Sequence, residues 1–142
     1  MSVESIKKFE AICSLIIRNI PSDYTWKWKW DEEFSTALIV FDQKDADAVF
    51  STISSGFDRH WDFSTLEESE DHIKSFLNSA FGMVPGQRIF AAEDPSGEVL
   101  LAAWWPWGNG EKISLRIGIF SPEAEIVITD ENKERLMKWF AI

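Results

Sequence analysis

The segment Tyr24-Thr25-Trp26-Lys27-Trp28-Lys29-Trp30 alternates large aromatic and polar side chains without a break. A period of two is the signature of a half-buried β-strand. Tyr24, Trp26, Trp28 and Trp30 therefore share one face, and Thr25, Lys27 and Lys29 the other. Four large aromatics on one strand need a cover, and the flanking sequence offers one. Val3 to Asn19 reads as an amphipathic helix with Ser2 as its N-cap. Its stripe is Ile6, Phe9, Cys13, Ile16 and Ile20, widened by Ile12 and Ile17, and Pro21 ends it. The aromatic face is thus expected to be the floor of the core, beneath this helix and the second amphipathic helix downstream. The competing use is stacking on sugars or bases with the lysines on phosphates, which the acidity of the chain opposes.

Asp31-Glu32-Glu33 reads as a turn from the Trp strand into a β-rich run, Phe34 to Phe41, giving an antiparallel hairpin. Residues 43–56 fit a short helix through Ala46, Val49, Phe50 and Ile53 closed by Gly56, but Val49 to Ile53 fits a strand as well. Phe57, Trp61 and Phe63 alternate with Asp58, His60 and Asp62, the pattern of another two-faced strand. Ser64 and Glu67 form a capping-box pair that opens the second helix. The stripe of that helix is Leu66, Ile73, Phe76, Leu77 and Ala80, and Gly82 ends it. Arg88 to Glu93 and Glu98 to Trp105 form a hairpin about Asp94-Pro95-Ser96-Gly97. Pro106 to Gly110 turns the chain into a strand from Lys112 to Phe120 with Ile113, Leu115, Ile117 and Ile119 on one face. Asp130 is placed as the cap of a last helix carrying Leu136, Trp139 and Phe140. The order predicts one α+β domain over residues 1–142, a largely antiparallel sheet packed in two layers against amphipathic helices.

Fourteen Lys and Arg against twenty-four Asp and Glu leave a net charge of −10. Such a field repels phosphate backbones, so direct nucleic-acid binding is not expected. It favours rapid capture of a basic partner, although acid also serves solubility alone. Cys13 is the only cysteine, which rules out an intrachain disulfide and points to a reducing, cytoplasmic compartment. Within its apolar stripe it reads as a small buried hydrophobe and not a nucleophile. MSVESIKKFE lacks the order of a secretory signal, and no apolar run approaches the roughly 20 residues that span a bilayer.

Phosphate-cradling and nucleophile-elbow glycine motifs are missing, and Gly108-Asn109-Gly110 is hairpin chemistry. Asp58, His60 and Asp62 project together if residues 57–63 are extended, as a general base or partial metal site; the plainer account is a solvated strand face. His72, the other histidine, sits on a helix without metal-type partners. Trp104 and Trp105 point to opposite faces of a strand, and Trp107 lies in a Pro- and Gly-rich turn that makes burial hard. At least one of these indoles is expected at the surface, as an interface anchor or as a lid on the core edge. Acid gathers at Asp31 to Glu33, at Asp45 and Asp47, along Glu67, Glu68, Glu70 and Asp71, and at Glu123 and Glu125. Glu67, Glu70 and Asp71 share a helical face by spacing.

A small, acidic, Trp-rich chain of this kind resembles the immunity proteins of bacterial toxin–immunity systems, those of contact-dependent inhibition and polymorphic toxins. The likeness lies in composition and element order, and in a first helix that runs through Ile20-Pro21-Ser22-Asp23-Tyr24 into an aromatic strand. It implies a non-enzymatic protein that binds a cognate toxin, often a basic nuclease, and blocks its active site with carboxylates in place of phosphates. The expected contacts are Asp31, Glu32, Glu33, Glu67, Glu70, Asp71, Trp104 and Trp107, with no catalytic residue, metal, cofactor or membrane involved and the oligomeric state open. Two alternatives stand beside it. One is a phage-type inhibitor or nucleic-acid mimic acting on a host nuclease, against which Lys27, Lys29, Lys74 and Lys112 count. The other is a small-ligand-binding or enzyme domain using Asp58, His60 and Asp62.

Overall fold

The Ser2 hydroxyl accepts the Ser5 N–H at 3.1 Å and so caps α1 (Val3–Asn19) as its sequence demands. Its buried stripe is Ser5, Phe9, Ile12, Cys13 and Ile16. The computed structural model describes residues 1–20, 27–80, 84–95, 97–121 and 128–142, without the side chains of 78–80. Pro21, Tyr24 to Trp26, the Ala80 side chain, Gly82, Ser96, Glu123 and Glu125 lie outside the described residues.

β1 (Lys29–Asp31) and β2 (Thr36–Asp42) form the expected hairpin, with Trp30 opposite Ala37. A 3₁₀ turn, Gln43–Asp45, leads into α2 (Ala46–Gly56), so the ambiguous segment is a helix. Ala46, Val49 and Ile53 are its buried side, at the three- and four-residue steps of one helix face, whereas a strand would have split Ala46 from Val49. A Cβ on Gly56 would stand 3.3 Å from Leu15 Cδ2 and 3.4 Å from Ile12 Cγ2, which is how closely α2 crosses α1. β3 (Arg59–Asp62), α3 (Asp71–Ala80), β4 (Arg88–Glu93), β5 (Val99–Pro106), β6 (Lys112–Phe120) and α4 (Asp130–Phe140) follow. The strands make one antiparallel sheet in the order β1-β2-β6-β5-β4-β3. The protein is thus α+β, with its sheet packed against helices. Among the described residues, no helix is long and apolar enough to cross a membrane.

The expected two layers become three over part of the sheet. One face presents Ile39, Phe41, Phe90, Leu100, Trp104, Ile113, Leu115, Ile117 and Ile119 to α1, α2 and α4. The other buries Trp61, Ile89, Leu101 and Phe120 with Leu66, Ile73 and Leu77 of the 3₁₀ turn at 66–68 and of α3. β5 explains the extra layer: Val99, Leu101 and Ala103 go to one core and Leu100, Ala102 and Trp104 to the other. A strand apolar at every position has no face to give to water.

Four local expectations are corrected. At the described end of the Trp strand the last helix supplies the cover expected of the first two: Trp28 meets Phe140 with ring centroids 4.4 Å apart, and Lys133 Nζ lies 5.5 Å from the Trp30 ring centre. The reason is that β1 is an edge strand, and Trp28 and Trp30 are only half-buried. The second helix does not start at a Ser64–Glu67 box. Asp62 takes the N–H groups of Ser64 and Thr65, each at 2.9 Å, so the chain makes a 3₁₀ turn and α3 begins only at Asp71. Phe57 and Trp61 do not share a face, because residues 57 and 58 precede β3; Phe57 belongs to the larger core and Trp61 to the smaller. Thr129, not Asp130, caps α4, its hydroxyl accepting the Asn132 N–H at 3.2 Å.

Two measurements check this packing. Phe90→Ala removes a fully buried ring and lowers stability by about 3–5 kcal/mol, whereas half-buried Trp28→Ala costs about 2 kcal/mol. Urea midpoints at constant m-value report both, and equal losses would place Trp28 in the core proper. Burial, with Glu10 adding, pushes the Cys13 thiol far up, so a disulfide-exchange reagent reacts with it only as fast as the chain unfolds. Prompt labelling of the native chain would contradict that burial.

Candidate functional site

The register brings the end of β2, the end of β3, the start of β4, the end of β5 and the start of β6 to one end of the sheet: Asp62 pairs with Arg88, Arg88 with Trp104, Pro106 with Ile113, and Asp42 with Lys112. The loops 43–46, 63–65, 84–87 and 107–111 therefore cluster there. Three of the four large apolar side chains most exposed among the described residues belong to these loops: Phe63 at 49%, Val84 at 56% and Trp107 at 42%. Trp107 is not a loose tip. Its indole N–H donates to Ser114 Oγ at 2.8 Å and its backbone N–H to the Lys112 carbonyl at 2.8 Å. Gly110, with φ +74°, lets the turn close through its N–H to the Trp107 carbonyl.

Beside these lies Arg88. Its guanidinium carbon sits 5.0 Å from the centre of the Phe50 ring, and Nη1 stands 3.4 Å from His60 Nε2. An arginine always donates, so that imidazole nitrogen accepts and His60 is neutral. The ring stacks on Phe90 at 4.5 Å and 9°, with Phe50 edge-on. Burial first and the Arg88 charge second hold His60 below its ordinary value, with Asp62 opposing. Asp62 itself is occupied: its Oδ1 also accepts the Ser64 hydroxyl at 2.7 Å, and the hydrogen bonds from Ser64 and Thr65 keep its carboxyl below the usual range. An open groove of about 410 Å3 runs from Gln43, Asp47 and Phe50 to Arg88, Trp104 and Pro106. A second, of about 280 Å3, lies between Asp62, Phe63 and Gln87 and shares Gly86 and Arg88 with the first.

The residues singled out by sequence are not brought together. Asp31 is structural: it pairs with Arg116 at 2.9 Å, the two being 14% and 13% exposed, and accepts the Glu33 N–H. The Arg116 guanidinium in turn lies over Phe34 at 5.0 Å and Trp105 at 4.4 Å. Glu32 and Glu33 are exposed in the β1–β2 turn, at the far end of the sheet from Trp107. Glu70 pairs with Arg59, which also holds Glu93 at 3.2 Å, and Glu93 accepts from His72 Nε2 at 2.7 Å. That network clamps α3 to β3 and β4. Glu67 takes Lys74 at 3.4 Å from the 3₁₀ turn, and Asp71 is exposed in the first turn of α3, so the three acids do not share one helix face. Trp104 is 5% exposed, packed on Phe41 and Phe50, and reaches the surface only as groove floor. Trp107 alone of the eight is an exposed aromatic. Asp58 lies outside β3 while His60 and Asp62 lie within it, and among the described residues no group of three His, Cys, Asp or Glu is placed to hold a metal. Sequence pattern places Phe63 and Arg88 only as strand residues and gives no site role to them or to Val84; Val84-Pro85-Gly86, an apolar residue beside turn formers, is the one signal of exposure.

The chain matches no family model, no curated protein and no solved structure.

The His60–Arg88 contact sets a pH dependence. The folded chain holds His60 below 6.5, so below that value the unfolded chain binds more protons. Stability is full above that pH and falls as acid takes it from 6.5 down through the folded value. In NMR titration the His60 midpoint lies under 6.5, and Arg88→Gln moves it upward; His60→Gln flattens the acid limb of the urea midpoint. A midpoint unmoved by Arg88→Gln would mean that the guanidinium does not act on the ring.

Proposed function

We propose that the protein is a non-enzymatic binding protein that captures a basic protein partner at the loop end of the sheet, in the manner of an immunity protein that neutralises a toxin in the cytoplasm. The observation that carries this is the gathering of Phe63, Val84 and Trp107 at one end, with Trp107 fixed by its bond to Ser114. A pre-positioned indole loses little freedom on binding and is the side chain most often found as an interface anchor. Asp45 and Glu111 stand in the same loops and Asp47 in the first turn of α2 beside them, and the net charge of −10 adds long-range attraction for a basic surface. The single cysteine suits a reducing compartment.

The partner is identified by pull-down from the cell of origin and its binding followed by surface plasmon resonance. Trp107→Ala weakens it by at least about 2 kcal/mol, roughly thirtyfold in Kd, mostly through dissociation. Asp45→Lys with Asp47→Lys slows association at low salt, where the Debye length is about 30 Å, and much less at 0.15 M, where it is about 8 Å. Glu32→Lys with Glu33→Lys, at the other end, leaves affinity unchanged. If the far-end pair weakens binding and Trp107→Ala does not, the interface is elsewhere.

A further inference from the structure

The Arg88 groove has a chemistry that an acid-mediated interface does not call for. We propose that it is a binding site for a carboxylate ligand, a single negative charge held by Arg88 with an apolar body laid against Phe50 and the edge of Trp104.

In a chain where carboxylates outnumber cations twenty-four to fourteen, a guanidinium near any acid is expected to be paired. Arg59, Arg116 and Arg135 each carry a carboxylate, while Arg18, on the exposed side of α1, donates to the Ser14 carbonyl. Arg88 carries none among the described residues, although Asp62 stands directly opposite it on β3. The Asp62 oxygen is turned instead to the amides and hydroxyls of Ser64 and Thr65. Arg88 has one neutral, long contact, to His60, and most of its five N–H donors remain unspent. The group is nevertheless oriented, because it lies over Phe50 and against an imidazole that is itself stacked on Phe90. An oriented guanidinium with an open fork matches a carboxylate through two parallel hydrogen bonds.

The walls set the rest of the ligand. Half-buried Phe50 gives the apolar surface, over the edges of the buried Ala46, Trp104 and Ile113, and Gln43 offers an amide in a lining that is otherwise largely polar. About 410 Å3 falls at the small end of ligand sites, which run from about 300 to 1,000 Å3. Asp47 lines the same groove, and one cation beside one carboxylate tolerates a monoanion but opposes a doubly charged phosphate. The site does not rest on the protein-partner proposal: Trp107 does not line the groove, and each can fail alone.

The test is an amide NMR titration of the full chain with phenylacetate, its neutral isostere phenylacetamide, inorganic phosphate, and a short peptide ending in Phe as free acid or amide. The expected result is saturable shifts at Gln43 to Phe50 and at Gly86 to Arg88 with the two carboxylates, and none there with the two amides. Tighter binding of phenylacetate assigns the carboxylate to a free acid, and tighter binding of the peptide to a chain terminus. Arg88→Gln weakens binding about tenfold or more with an unchanged fold by circular dichroism, and Arg88→Lys falls between. Asp47→Asn tightens carboxylate binding and admits phosphate. The proposal is overturned if phenylacetate and phenylacetamide bind alike, if phosphate binds the native chain more tightly than either carboxylate, or if no saturable shift appears at these amides. The comparison of acid with amide on the native chain decides the matter even if Arg88→Gln fails to fold.

Discussion

Burial of β5 on both faces is the constraint on which the rest of the structure depends. Every side chain from Val99 to Trp104 is buried, alternately toward the two cores. Burying apolar area is the main favourable term in folding, so a central strand without a polar face obliges the chain to supply cover on each side. Three helices meet the demand on one face. On the other, α3 does so, and it is tied down by the Arg59, Glu70, Glu93 and His72 network because one short helix has little apolar area of its own. Functional groups are then left to the loops where the strands end.

What could be seen in advance was local. The Ser2 cap, the stripe of α1, the hairpin about residues 94–97 and the alternation of β6 are each set by neighbours in sequence, and each stands where the pattern put it. The failures all involve a distant or competing group. Ser64 and Glu67 satisfy a capping box, yet Asp62 takes the Ser64 amide that Glu67 would have bonded, and the Thr65 amide beside it, and ends the helix before it begins. The Trp strand announces that its aromatics need cover but says nothing of which helix supplies it; α4, over ninety residues on, does. The third layer is legible in the unbroken apolar run of β5, although the aromatic alternation of the Trp strand makes the stronger local claim on the helices.

The site was less legible than the fold, for the same reason. An acidic residue looks alike in sequence whether it is solvated, as Glu33 is, or engaged with Arg116, as Asp31 is. Surface charge is read by composition, but its availability is fixed by partners far away in the chain. Arg88 shows the converse. Its significance lies in the acid it does not hold, and that depends on which way the Asp62 carboxylate turns.

The pairing of β2 with β6 joins residues as far apart as Asp42 and Lys112, whereas β4 meets β5 across a single turn. Each doubling of a loop costs about 0.6 kcal/mol in closure entropy, so this join is costlier by about 2 kcal/mol than the neighbouring hairpin. The sheet is in effect two locally organised pieces sewn along one long-range seam. Two ion pairs straddle it, Asp42 with Lys112 and Asp31 with Arg116, the second largely withdrawn from water. Sliding β2 by one residue would turn every side chain to the wrong face and strand that withdrawn charge without its partner. The seam therefore carries its own register key, written in charge as well as in hydrocarbon.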